Sequence, residues 1–258
     1  MPLISQEEKK LTVEVTGPVA RVVFNNPPLN AIDPEMMSAL REHLIALEQK
    51  PSVTAIVFAG NERVFSSGLD IASLAPQIVE TTLNKFHGVV RALVASSKLT
   101  IASVRRHCLG GGAELALVCD LVYAGSDAVF GFPEIKLATF PPVAMVALSA
   151  IVGQKRAAEL LFTARSLSAQ EALAMGLVNE IADDPETLVA ECLQRISQLS
   201  PAALRIAKKA FYGWEAMHFE KGLMRAEEIY REQVTRSEDG KEGIRAYLEQ
   251  RRPKWTGK

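Results

Sequence analysis

The sequence predicts an α/β fold, a largely parallel sheet laid down by alternating strands and helices and followed by a helical C-terminal region. Three observations carry the prediction. Short apolar, β-branched runs recur at 53–59, 99–104, 121–124 and 128–130 with helix-like stretches between them, the alternation that builds parallel sheets. Glycine and proline mark the boundaries. From Pro141 onward the strand pattern stops, and 142–152, 154–163, 168–175, 184–199, 201–213, 217–236 and 238–250 all read as helix.

Taken in order, 11–15 and 19–24 flank Thr16-Gly17-Pro18 and read as a β-hairpin. A loop, Asn25-Asn26-Pro27-Pro28-Leu29-Asn30-Ala31, leads to Asp33 as N-cap and Pro34 at the first position of an amphipathic helix reaching about residue 49. The run 53–59 is almost wholly apolar, as befits a strand covered on both faces. A polar loop ends in Phe65-Ser66-Ser67-Gly68-Leu69-Asp70, a long helix follows Pro76 through Ala95, and 99–104 forms the next strand. No disordered linker divides the chain. A seam near residue 200 separates a core over 1–200 from a helical region over 201–258, expected to pack on the same core or on neighbouring subunits.

Composition excludes several classes of function. The 258 residues carry 29 Lys+Arg against 30 Asp+Glu, a net charge of -1 that leaves no electrostatic footprint for nucleic acid or an anionic membrane. The three cysteines, Cys108, Cys119 and Cys192, show no C-x-x-C spacing, which argues against both a disulfide framework and a zinc site. Residues 1–10 lack an apolar leader and no run reaches membrane-spanning length, so a cytoplasmic location is expected. The basic ending, Arg251 to Lys258, reads as a solvated, frayed tail or as a cationic end that meets phosphates.

The chemistry concentrates around Leu109-Gly110-Gly111-Gly112-Ala113-Glu114 and Phe130-Gly131-Phe132-Pro133-Glu134-Ile135. Three glycines between a strand and a helix beginning near Gly112 form a turn where backbone can approach a ligand closely, and the first helical turn leaves N–H groups unpaired. Glu114 falls in that first turn and Glu134 follows Pro133 at the start of another helical segment. Bare amides and two carboxylates are what polarising a carbonyl and moving protons beside it require. A helix dipole favours a first-turn glutamate with no catalytic role as well. Dinucleotide and P-loop patterns are absent, as is the Gly-x-Ser-x-Gly elbow that would make Ser66 or Ser67 a nucleophile. His87 and His107 have no partner at triad spacing and read as packed or solvated side chains.

Taken together, Pro27-Pro28-Leu29-Asn30-Ala31, Phe65-Ser66-Ser67-Gly68-Leu69-Asp70, Ile101 to Ala116, Phe130 to Ile135 and Leu167 to Val178 resemble the crotonase (enoyl-CoA hydratase/isomerase) superfamily over roughly residues 10–258. The resemblance implies a spiral of ββα units with a C-terminal helical trimerisation region. It also implies an acyl-CoA substrate, no cofactor beyond the coenzyme A of that substrate, no metal, and a homotrimer or homohexamer. It places the two oxyanion-binding amides at Leu69 and Gly111, with Ser67 and Asp70 on the substrate-binding loop, and makes Glu114 the water activator and Glu134 the acid. Asp70 is expected to support that loop by capping amides near Leu69.

Three positions depart from the family pattern. Phe140-Pro141-Pro142-Val143-Ala144 replaces a glycine-rich loop, Arg105-Arg106 replaces Asn-Gly, and Ala72 stands where a lysine is frequent. Together with Phe86-His87-Gly88-Val89-Val90-Arg91, the first of these resembles the branch that hydrates cyclohexa-1,5-diene-1-carbonyl-CoA. An isomerase would need only one working carboxylate, and an inert acyl-CoA- or RNA-binding relative would show a lost glutamate or a strongly basic surface. Neither departure is present.

Overall fold

The computed structural model describes residues 10–213 and 215–258, without the side chains of 215–217; the stretch 1–9, where the sequence predicts no apolar leader, lies outside the described residues. Alternating residues build β1 (Leu11–Thr16) and β2 (Val19–Phe24) into an antiparallel hairpin closed at Gly17, whose φ of 57° suits glycine. Asp33 caps α1 (Pro34–Glu48) by accepting from the N–H groups of Glu35 and Met36. The helix buries Met36, Met37, Leu40, Leu44 and Leu47, each contributing ~1.5–3 kcal/mol on leaving water. It packs on α2 (Val79–Val94), which follows the fully buried β3 (Ala55–Ala59) and the 3-10 turn Ile71–Leu74.

Two successive turns of chain then repeat one pattern. β4 (Leu99–Val104) leads through β5 (His107–Leu109) into α3 (Gly111–Leu117), and β6 (Leu121–Gly125) leads through β7 (Val129–Gly131) into the 3-10 turn Pro133–Leu137. Beyond them lie α4 (Pro142–Val152), α5 (Gln154–Thr163), β8 (Leu167–Ser168), α6 (Ala169–Ala174), β9 (Glu180–Ala182) and α7 (Pro185–Ser197). The larger sheet has the order β1-β2-β3-β4-β6-β9, parallel after the first pair, and a second sheet runs β5-β7-β8. This is the predicted α/β spiral.

Several local expectations need correction. β8 and β9 lie past Pro141, where the sequence predicts no strand: they are two and three residues long, and pairing with β7 and β6 makes them strands rather than any pattern of their own. His107 belongs to the short strand β5. The segment after Pro133 is a 3-10 turn ended by Ala138 in the left-handed conformation.

Three further helices, α8 (Pro201–Tyr212), α9 (Glu215–Ile229) and α10 (Glu238–Leu248), complete the chain. The predicted helix 217–236 is interrupted by a π-turn at Tyr230–Val234. α9 packs on α4 and places Leu223 in the main core, whereas α8 buries no residue. His87 is buried, its Nδ1 2.7 Å from Glu227 of α9, which also meets Arg91. It is a packed side chain, as expected. α10 rests on both 3-10 turns, so closely that a Cβ at Gly243 would sit 2.1 Å from the Leu137 carbonyl oxygen.

Candidate active site

Asn30 organises the first wall of the site. Fully buried, its Nδ2 donates to the carbonyls of Phe24, Val64 and Phe65, while its Oδ1 accepts from the Asn26 N–H and from Asn61. Its own carbonyl accepts from the Ser66 hydroxyl, whose oxygen in turn accepts the Gly68 N–H. A buried amide so completely paired fixes the 64–68 segment in one conformation. The sequence presented Asn30 as a loop residue of a shared motif; nothing local showed it as the hub.

Ser66 forms a parallel bridge with Cys108, the Ser66 N–H donating to His107 and the Leu109 N–H to Ser66. Counting three residues on from each bridge partner arrives at Leu69 and at Gly111. The two segments stay in contact to that point, for a Cβ on Gly68 would lie 2.9 Å from the Leu109 carbonyl and 3.2 Å from the Gly111 nitrogen. Gly68 (φ 101°) and Gly110 (φ 51°) adopt backbone that other residues resist. Leu69 bridges Ile32 through its neighbours, with the Ile32 N–H donating to the Gly68 carbonyl and the Asp70 N–H to the Ile32 carbonyl. Leu69's own N–H is turned away, and Gly111 opens α3, where no intrahelical acceptor exists. Among the described residues neither N–H has a protein acceptor.

Leu69 borders a cavity of about 580 Å³, lined also by Ser67, Asp70, Gly110, Glu114 and Glu134, with Gly111 next in the chain to Gly110. Five of the six predicted site residues therefore line one cavity, and the sixth, Gly111, lies against Leu69, where an added Cβ would be 2.7 Å from the leucine side chain. Ser67 contributes through its backbone, its N–H donating to the Leu29 carbonyl. The capping role expected of Asp70 is not observed: its side chain makes no cap hydrogen bond, and its carbonyl instead accepts from Ser73. Arg105 and Arg106 do not reach the cavity either. Arg105 pairs with Asp184 and Arg106 lies 3.6 Å from Asp127, although Arg106 does take the left-handed conformation (φ 51°) that the usual glycine would supply.

The two acids differ in their surroundings. Glu114 is buried, and its Oε1 accepts from the N–H groups of Val143 (2.8 Å) and Ala144 (3.0 Å) at the start of α4. Burial raises its pKa above the ordinary carboxylate range, and those two donors pull it back. Glu134 stands over the glycine turn, where a Cβ at Gly110 would come within 2.5 Å of its Oε1. Its Oε2 is shut off from solvent without a hydrogen-bond partner. Burial, and after it the negative charge of Glu114, push its pKa up further. Neither acid is in an ion pair among the described residues.

Sequence reasoning missed the amides of Val143 and Ala144 and two residues of the far wall. Thr139 donates from both its N–H (3.2 Å) and its hydroxyl (3.1 Å) to the Glu134 carbonyl. Tyr230, buried at the start of the π-turn, packs edge-on against Phe140 with ring centroids 5.2 Å apart. No short-range signal marks either, because the site receives them from 5 and 96 positions beyond Glu134. Among the described residues no group of three or more His, Cys, Asp or Glu side chains is placed to hold a metal and no helix is long and apolar enough to cross a membrane.

A spiral of ββα turns that brings main-chain N–H groups without protein acceptors together with Glu114 and Glu134 around one cavity supplies what polarising a carbonyl and moving protons beside it require. The chain belongs to the enoyl-CoA hydratase/isomerase family, whose pattern matches residues 14–258. It is 32% identical to a cyclohexa-1,5-dienecarbonyl-CoA hydratase from Thauera aromatica over 96% of this chain and 97% of that one. It is 31% identical to a 2,3-dehydroadipyl-CoA hydratase from Escherichia coli over 99% and 98%. An enoyl-CoA hydratase/isomerase from Pseudoalteromonas atlantica T6c superposes with a TM-score of 0.87 at 27% identity, covering 96% of this chain and 100% of that one. The chain is thus an enzyme whose named relatives are hydro-lyases.

Proposed function

We propose that the protein adds water to, or removes it from, a conjugated cyclic dienoyl-CoA thioester, interconverting cyclohexa-1,5-diene-1-carbonyl-CoA and 6-hydroxycyclohex-1-ene-1-carbonyl-CoA. The observation that carries the acid–base assignment is the unequal solvation of the two glutamates. Two amides solvate a charged Glu114, whereas the unpartnered Oε2 of Glu134 favours a neutral carboxyl. Glu114 takes a proton from water as the hydroxyl adds to the diene, and Glu134 gives a proton to the ring carbon. The N–H groups of Leu69 and Gly111 hold the thioester oxygen as negative charge gathers on it; removing one such donor costs about 2.7–4 kcal/mol in comparable sites. The coenzyme A arrives with the substrate, and the reaction asks for no redox cofactor or metal.

The cavity wall favours a compact uncharged ring. Leu74, Leu83, Leu137, Phe140, Pro141 and Pro142 line it, and its one lysine among the described residues, Lys136, is exposed. A carboxylate-tailed acyl group like that named for the Escherichia coli relative would find no buried cation there. Leu199, Ile206 and Phe211 stand exposed on and beside α8, and this uncovered apolar surface supports assembly of copies of the chain as a trimer or hexamer.

A turnover panel tests the reading. The cyclic dienoyl-CoA is expected to exceed both crotonyl-CoA and 2,3-dehydroadipyl-CoA in kcat/KM. Equal or greater turnover of a linear substrate overturns the ring assignment, and no hydration of any of the three overturns the hydratase.

A further inference from the structure

A second cavity of about 20 Å³, room for about one water molecule, lies behind the catalytic one. Leu74, Thr139 and Tyr230 line both and so stand between them. Tyr230 is the only ring of the three. It is buried, packs with Leu74, Val79, Leu83 and Ile244 in one apolar cluster, and meets Phe140 edge-on. Leu74 and Leu83 line the catalytic cavity as well, so this cluster forms its apolar end, whereas Ile244 lines only the rear cavity. The frame behind Tyr230 is main chain. Tyr230 opens the π-turn, its carbonyl accepting the Thr235 N–H at 3.1 Å. α10 lies so close that a Cβ on Gly240 would meet the Val234 carbonyl oxygen at 2.4 Å, as one on Gly243 would meet that of Leu137. Backbone pressed on backbone has little freedom to close over a truncated side chain, so space freed there persists.

We infer that the Tyr230 ring is a partition that sets the depth of the acyl end of the cavity, and that a smaller side chain there joins the two cavities and lengthens the acyl group accepted. The inference rests on the reading of this cavity as the acyl-thioester site, and it adds a depth limit to the apolar lining that favours a compact ring. An acyl group is the apolar part of its thioester and is taken up where the wall is apolar. Carbons beyond that depth meet the Tyr230 ring, and a single methylene accepted or refused by an apolar pocket is worth about 10–200-fold in selectivity. The amides that hold Glu114 belong to Val143 and Ala144, so a change at Tyr230 leaves those donors in place.

The experiment measures binding and turnover in the full-length enzyme. Calorimetric affinity along butyryl-, hexanoyl-, octanoyl- and decanoyl-CoA, which lack the double bond and are not hydrated, should stop rising before decanoyl-CoA in the wild type. In Tyr230→Leu the rise should continue, with decanoyl-CoA bound at least ~10-fold more tightly than by wild type and butyryl-CoA within about 2-fold. The ratio of kcat/KM for 2-decenoyl-CoA to that for crotonyl-CoA should climb by a similar factor. Tyr230→Phe keeps the ring and should keep the wild-type ratio. Adding Ile244→Phe to Tyr230→Leu should refill the space from the rear and return the ratio toward wild type. Affinity that climbs through decanoyl-CoA in the wild type overturns the inference without any variant. An unchanged chain-length profile in folded Tyr230→Leu also overturns it, as does an equal gain in Tyr230→Phe or a gain that the added Ile244→Phe leaves intact. The binding series needs no turnover, so a cyclic diene left unhydrated overturns the proposed reaction alone, whereas an unresponsive Tyr230→Leu overturns the partition alone.

Discussion

Glu114 and Glu134 face one cavity from walls of different construction. Glu114 rides in the first turn of α3, its Oε1 held by two amides of α4. Glu134 rides on a 3-10 turn, with one oxygen left unpartnered, Gly110 close against it and Thr139 holding its carbonyl. The residue type is the same, but Glu114 is buried and accepts from two amides, whereas Glu134 is half-buried, has Oε2 without a partner and faces the negative charge of Glu114. The lesson is that a pair of carboxyls is assigned its roles by what donates to each, which no inspection of the side chains themselves reveals.

The sharpest way to break this contrast is to neutralise each acid in turn. Glu114→Gln and Glu134→Gln should each lower kcat by ~10²–10⁴ while thioester binding, measured calorimetrically, stays near wild type. Retained turnover in either variant removes that residue from the chemistry. A smaller effect comes from Gly110→Ala. The added Cβ would meet Glu134 Oε1 at 2.5 Å on a backbone of positive φ, so the acid must move, and we expect kcat to fall ~10-fold together with ~1–2 kcal/mol of stability in denaturant unfolding.

Stability separates the two walls more gently. Burial and the charge of Glu114 hold the Glu134 pKa above its unfolded value, so the native state binds that proton more tightly and stability drops as pH rises from the unfolded value through the folded one. Glu134→Gln removes the penalty. Its melting temperature should exceed the wild type's by a few degrees in alkaline buffer, at about 2–4 °C per ~1 kcal/mol, and should match it in acid. The smallest effect falls outside the cavity: Arg106→Gly relieves the left-handed backbone at φ 51° and sacrifices only an exposed 3.6 Å pair with Asp127. A gain of ~0.5–1 kcal/mol with unchanged kinetics is expected, and a loss of activity would show that Arg106 does bear on the site.

The parts of the fold that were legible in the sequence are those that local rules write. The hairpin at Gly17, the Asp33 cap with Pro34, the apolar β3 and the glycine turn all follow from propensity and period over a few residues. β8 and β9 were not legible because a two- or three-residue strand exists only through its neighbour. The same division holds at the site. Glu114, Glu134 and the loop 67–70 stand out in the sequence, whereas the amides of Val143 and Ala144, the hub at Asn30 and the Tyr230–Phe140 ring contact depend on segments brought together from far along the chain. The capping role expected of Asp70 failed for a related reason: an aspartate before a 3-10 turn has the right identity, yet its side chain makes no cap bond there.

The bridge between Ser66 and Cys108 has a consequence for how such an enzyme diversifies. In the proposed function the electrophile's anchor is written in main-chain atoms at matched offsets from that bridge, so substitutions at position 69 other than proline alter the lining and leave the donor in place. The cavity is therefore free to acquire new shapes, and new acids or none, around a polarising element that point mutation leaves standing so long as Gly68 and Gly110 keep their turns.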